Sequence, residues 1–134
     1  MTQIQLLRPQ GLVVSDAFSQ AAVVPPGATT VYVGGQNAVD ATGILVGGDD
    51  VAAQTRQVMA NLATALEAAG VGVEHLVQVL VLLVDGVDVQ AAYGAAAASL
   101  ADATPPPLVT AALVSGLGVP GALVEVSAVA AVVR

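Results

Sequence analysis

Few residues in this chain are able to carry chemistry, and Glu125 stands apart from the others. It is the sole ionisable side chain between Ala103 and Val133, and it sits in the run Ala122–Val133 among alternating apolar neighbours. A carboxylate held among apolar side chains has its charged form destabilised by desolvation, which suits a general acid or base or a group that positions water. A solvent-facing glutamate on a half-exposed strand is the competing reading, because Glu is rarely fully buried. Gly34-Gly35-Gln36 follows an extended run, but no Gly-Lys-Ser/Thr comes after it, so it is not a phosphate loop. A strand end that needs small residues for close approach is its simpler reading. The one histidine, His75, lies beside Glu74 in a polar stretch and reads as a solvated loop residue. With no motif around it, no Ser-His-Asp set can be built. Phe18, the sole phenylalanine, and Tyr93 read as packing residues or pocket walls.

Composition narrows the function classes. The chain has 134 residues, a length suited to one domain over 1–134, and a net charge of −7 from ten Asp+Glu against three Lys+Arg. None of the three is lysine, and Arg8, Arg56 and Arg134 are far apart in sequence, so no basic patch exists to neutralise phosphates and nucleic-acid binding is disfavoured. The absence of cysteine excludes disulfides, thiolate metal sites and a Cys nucleophile, and a single histidine argues against zinc. Hydrophobic residues make up 56% and charged residues 10%, where ordinary domains have ~25% charged. Two stretches long enough to span a bilayer lack charge, Ala17–Val39 and Ala103–Val124. Pro25-Pro26-Gly27 breaks the first and Pro105-Pro106-Pro107 with Gly116, Gly118 and Pro120-Gly121 the second, so neither is expected to cross a membrane. The segment MTQIQLLRPQG lacks the charged-then-apolar order of a signal peptide, and a cytoplasmic protein is expected.

The elements that must position Glu125 follow from periodicity. Thr29–Gly34 reads as a strand, Asn37–Gly43 as a turn and Ile44–Val46 as a short returning strand. Asp49-Asp50 caps a helix over Val51–Ala69, closed by Gly70, with Val51, Val58, Met59, Leu62, Leu66 and Ala69 on one face. Leu76–Val84 is a nearly continuous apolar strand, Val87–Ala101 a second, alanine-rich helix, and Leu108–Val114 and Ala122–Val133 are the last strands. The order is α+β, with two helices able to cover one sheet face. On the last strand Val124, Val126, Ala128, Ala130 and Val132 form one side. Leu123, Val129, Ala131 and Val133 share the other with Glu125 and Ser127. Both sides are apolar, so the uncovered one is expected to be buried by further copies of the chain.

The order of motifs resembles the Rid family (RidA/YjgF, the reactive-intermediate deaminases) from about Asp16 to Val132. Asp16–Ala21 is similar to its G-P-Y-S-Q-A, and Val31–Gln36 to V-Y-x-S-G-Q. Gln54-Thr55, Asn61-Leu62 and Leu66–Gly70 resemble its Q-T…N-L…L-x-A-A-G helix, Asp88–Tyr93 its D-F-x-x-x-N-x-x-Y region, and Val124-Glu125-Val126 its V-E-I. The resemblance implies a chorismate-mutase-like α+β subunit, a homotrimer with clefts between subunits, and hydrolysis of enamines or imines without metal or cofactor. It also implies that Glu125 positions the hydrolytic water. Phe18, Gly34, Gly35, Gln90, Tyr93 and Val109 would line the binding site. Three matched positions depart from the family. Its tyrosine is Phe18, its SGQ serine is Gly34, and the arginine that clamps the substrate carboxylate is Val109, or Leu108 after a one-residue slip. Gln90 falls where the family has asparagine. Neither Val nor Leu binds a carboxylate. The expected activity is therefore hydrolysis of a small neutral or weakly polar imine, enamine or related molecule in an inter-subunit cleft, and not standard 2-imino-acid deamination. The alternatives are a non-catalytic trimer binding a small ligand in the same cleft, or a structural protein with a vestigial cleft. Ribonuclease activity, also attached to the family, is disfavoured by charge.

Overall fold

The computed structural model describes residues 3–134; Met1 and Thr2, at the start of the segment read for a signal peptide, lie outside the described residues. Its elements in chain order are β1 (Gln5–Leu7), β2 (Ala21–Val23), β3 (Thr29–Gln36), α1 (Val51–Ala68), β4 (Leu76–Val84), α2 (Val89–Ser99), β5 (Leu108–Val114) and β6 (Val124–Val132). Strands β1 and β2 pair antiparallel as a separate two-stranded ribbon. The main sheet has the order β3-β6-β4-β5, antiparallel except for the parallel pair β4–β5. The α2 crossover makes that parallel pairing possible.

Helix α1 forms where the sequence predicts. Asp50 accepts a hydrogen bond from the Ala53 amide (3.1 Å) and caps it, and Val51, Val58, Met59, Leu62 and Leu66 form its buried stripe. The stripe packs on β3 and β6, and α2 lies against α1. The face of β6 beneath is fully buried through Val124, Val126, Ala128 and Ala130, joined by Val79 and Leu83 of β4 and Val33 of β3. This is the α+β, chorismate-mutase-like arrangement, with two helices on one face of a mixed sheet.

Several expectations need correction. The returning strand at Ile44–Val46 is only an isolated bridge, Val39 to Leu45. Asp40 organises the turn, accepting from Thr42 Oγ1 (2.7 Å), Thr42 N (2.9 Å) and Ile44 N (3.1 Å), and its two arms pair only briefly, through Asp40 N to Ile44 O (3.0 Å) and Val46 N to Ala38 O (2.7 Å). β3 runs two residues beyond Gly34, and α2 is shorter at both ends than Val87–Ala101. The last strand begins at Val124, because Leu123 belongs to the preceding turn network. The ribbon β1–β2 has no hydrophobic period long enough to announce it. His75 is not a solvated loop residue: it ends a 3-10 turn, and its Nδ1 accepts the Gly72 amide (3.0 Å).

The helices leave much of the sheet uncovered. Val109 through Leu113 of β5 are exposed although the strand is apolar on both sides, and Leu113 is 56% exposed. On β3, Tyr32 is 80% exposed. The expected surplus of apolar sheet surface is present on the single chain.

Among the described residues, Gln54 is the one long polar side chain sealed in the core. Its amide donates to Gly48 O (2.7 Å) and Gly121 O (3.0 Å) and accepts from Leu123 N (2.8 Å), tying α1 to the entry of β6. Gly47 makes room for this helix turn, since a Cβ there would lie 2.8 Å from Gln54 N and its φ is +100°. Replacing Gln54 with alanine strands three backbone groups. Gln54→Ala is expected to lower unfolding free energy by about 2–4 kcal/mol, read from the urea midpoint at unchanged slope.

Candidate functional site

Glu125 is the second residue of β6, and the start of that strand is fixed from both sides. Leu123 N donates to Gln54 Oε1, and Val84 N donates to Leu123 O (3.0 Å). On the other side Asn37 Nδ2 donates to Val124 O (3.3 Å). Asn61 of α1 holds that loop in turn, donating to Asn37 O (3.0 Å) and Val39 O (2.8 Å), and itself accepts from Gln57 Nε2 (2.9 Å). The Gln54 and Asn61 of the helix motif are thus supports for the strand that carries Glu125. Asn37 and Gln57 belong to the same chain of bonds, and no spacing rule singles them out.

The side chain of Glu125 lies on the sheet face away from the helices. Its β4 partner is Leu82, whose β5 partner is Ala112, and paired residues share a face. Val124 and Val126 on either side point into the core. On the β3 side the register slips between Val33 and Gln36, so Gly34-Gly35 forms a bulge opposite β6. A Cβ at Gly35 would sit 2.7 Å from Glu125 Oε2 and 2.8 Å from its carboxyl carbon. The carboxylate therefore occupies space that any other residue at 35 would fill. Gly34 faces open space, and Gln36 Nε2 donates back to Gly34 O (3.1 Å).

The state of the other carboxylates makes Glu125 distinctive. Of ten, only Asp40 and Glu125 are not exposed. Asp40 is saturated by its loop, and its bonds to Thr42 and Ile44 hold its carboxyl below the usual aspartate range, which leaves it a poor proton carrier near neutrality. Glu125 is partly buried and accepts no hydrogen bond among the described residues. No cation among them stands near it: Arg8 is engaged by Ser15 O (2.6 Å) and Asp16, and Arg134 by Ala69 O (3.1 Å). Arg56 projects from α1, on the opposite side of the sheet.

The remaining candidate residues fall into two further groups. Phe18 precedes Ser19, whose amide donates to Pro107 O (3.0 Å) and whose hydroxyl donates to Pro106 O. That brings the backbone at Phe18 to the segment that leads into β5, where Leu108 and Val109 follow. By register Val109 pairs with Val79 and so lies on the helix-side face, two strands from Glu125, whereas Leu108 shares the Glu125 face. Gln90 and Tyr93 are exposed on the first turns of α2, which Asp88 caps through the Ala91 amide (3.1 Å). One chain thus seats Glu125 on Gly35 in the Gly34-Gly35 bulge and brings the chain at Phe18 to the entry of β5, which carries Val109, two strands away; Gln90 and Tyr93 sit apart on α2.

Glu125 lines neither of the two clefts that stand out among the described residues. One of about 480 Å³ lies between the starts of α1 and α2 and is acidic, with Asp49, Asp50, Asp85 and Asp88. The other, of about 240 Å³, includes Ile4, Leu6, His75 and Ala131. Among the described residues no group of side chains suits a metal ion, and no helix is long and apolar enough to cross a membrane.

Comparison with curated proteins gave no match. Among solved structures the chain is similar to a protein of unknown function of the conserved Rid family, YyfB from Yersinia pestis. The identity is 30% over 98% of this chain and 100% of that one, with a TM-score of 0.84. It is similar to a putative endoribonuclease L-PSP from Entamoeba histolytica at 30% identity (96% and 99% covered, TM-score 0.70). RidA from the Antarctic bacterium Psychrobacter sp. PAMC 21119 is 29% identical (98% and 99% covered, TM-score 0.68). The family model described as Endoribonuclease L-PSP matches residues 10–132. With β6, the Gly34-Gly35 bulge and the Glu125 carboxylate all inside that match, the chain belongs to the Rid (YjgF, L-PSP) family.

Proposed function

We propose that the protein is a Rid-type hydrolase of small imines or enamines that lack a carboxylate, assembled as a homotrimer whose inter-subunit clefts complete the site. The observation that carries this reading is Glu125: the one partly buried carboxylate left without a hydrogen bond among the described residues, seated over Gly35 on the uncovered sheet face. In the reaction, a water oxygen adds to the C=N carbon while Glu125 takes one of its protons and passes it to the nitrogen, giving a carbinolamine. Glu125 then takes the carbinolamine hydroxyl proton as the C–N bond breaks, and the carboxyl hands this second proton to the departing nitrogen. One imine and one water give one carbonyl compound and one ammonia. No step calls on a metal or cofactor. A second copy is what would bring the Phe18–Val109 group against Glu125, since a single chain holds them two strands apart.

Substrate choice follows from what the wall lacks. Val109 and Leu108 offer no guanidinium for a carboxylate, and Phe18 offers no hydroxyl. A net charge of −7 gives an anionic substrate no compensation. The same deficit weighs against RNA cleavage, which needs cations for the phosphates. Ligand binding without turnover is the second reading, favoured by the loss of polar side chains at positions 18, 34 and 109.

Ammonia release from imines with and without a carboxylate separates these readings. Glu125→Gln keeps the shape and removes the base, and turnover is expected to fall by about 10²–10⁴-fold; undiminished turnover excludes the mechanism, and no turnover of any imine by the wild type favours the binding reading. Val109→Arg is expected to raise kcat/KM for a carboxylate-bearing imine relative to a neutral one by about 10–100-fold, and an unchanged ratio removes position 109 from the site.

A further inference from the structure

The surroundings of Glu125 specify a charge for the ligand. Its carboxylate accepts no hydrogen bond among the described residues: its direct register partners on β4 and β5, Leu82 and Ala112, have none to give, and Gln78, Thr110 and Ser127, farther along the same face, do not bond to it. The chain has no lysine, and each arginine is either engaged elsewhere or on the far side of the sheet. Further copies of the chain add more negative charge than positive. The carboxylate packs on Gly35, which has no side chain to bond it, and Gly34 beside it faces open space. A carboxylate without a partner, set on apolar surface, favours a ligand that supplies both a positive charge and N–H donors.

Resting on the hydrolase reading above, we infer that the site selects a small apolar cation, a protonated imine (iminium) or ammonium group on an uncharged carbon skeleton, with Glu125 as its counter-ion. Neutral molecules bind less well because they leave the carboxylate unpaired, and anionic ones are repelled. Hydrolysis of such a substrate balances in atoms and charge: one iminium ion and one water give one carbonyl compound and one ammonium ion. The water oxygen becomes the carbonyl oxygen, both of its hydrogens end on the departing nitrogen, and the C–N bonding electrons leave with that nitrogen. The positive charge that selects the substrate therefore departs with the ammonium product. The iminium carbon is also more electrophilic than that of a neutral imine, so charge selection and reactivity favour the same species.

The test is calorimetric titration of the intact wild-type assembly with benzylammonium chloride, benzyl alcohol and sodium benzoate, which share a ring and differ in charge. Benzylammonium is expected to bind about tenfold or more tightly than benzyl alcohol, with benzoate weakest. In Glu125→Gln the ammonium advantage disappears while benzyl alcohol affinity holds. In wild type the advantage shrinks as sodium chloride rises, which tests the charge even if the variant fails to fold. Equal affinities, absence of benzylammonium binding, tighter benzoate, or an advantage that survives Glu125→Gln or high salt overturns the inference. Ammonia release lost in Glu125→Gln, with no ammonium preference in wild type, would sink this inference alone and leave the hydrolase reading standing.

Discussion

A four-stranded sheet that is apolar on both faces, served by only two helices, is the constraint from which the rest of the molecule follows. Helix α1 seals the face built from Val124, Val126, Ala128 and Ala130, and α2 leans on α1. The opposite face keeps Leu80, Leu82 and Val129 only partly covered, and β5 is bare on both sides. Each valine- or leucine-sized side chain taken out of water contributes about 1.5–3 kcal/mol. Closing this surface against copies of itself is therefore worth far more than leaving it wet, and β5, an unprotected edge, would otherwise invite unspecific pairing.

Glu125 acquires its character from that same surface. On a solvent-washed sheet it would be one more acidic residue in an acidic protein. Here it projects from the second position of β6 into the region that assembly would dry, and two side-chain amides of α1 fix the strand beneath it. Gln54 binds the chain just before β6, and Asn61 acts through Asn37 on the opposite flank. An amide sealed in the core like that of Gln54 costs about 1–3 kcal/mol if left unpaired. Both amides are fully paired here, so their geometry is strongly specified and the carboxylate above inherits it. Gly35 completes the arrangement by having no side chain to occupy the carboxylate's place.

Much of this was legible in the residues. The 3.6-residue stripe of α1, its Asp50 cap and the long apolar β4 announce themselves because each is a strong local pattern. The isolation of Glu125 among apolar neighbours was visible as well, and so was its alternation with Val124 and Val126, but which of the two apolar sides the helices cover was not. Long-range pairings were not legible. Nothing in Gln5–Leu7 signals that it pairs with Ala21–Val23, and the returning segment at Ile44–Val46 pairs back only as a single bridge around the Asp40 turn, whose side-chain bonds strand propensity does not register. The placement of Val109 on the other face from Glu125 depends on the parallel register of β4 and β5, which only the assembled sheet defines.

The character of Glu125 therefore depends on whether the uncovered face is closed by copies of the chain. Sedimentation equilibrium across a broad concentration range measures this directly. A single species at three times the 13.1 kDa subunit mass is expected, unchanged on dilution. A stable monomer, with its apolar face and Glu125 left in water, contradicts it.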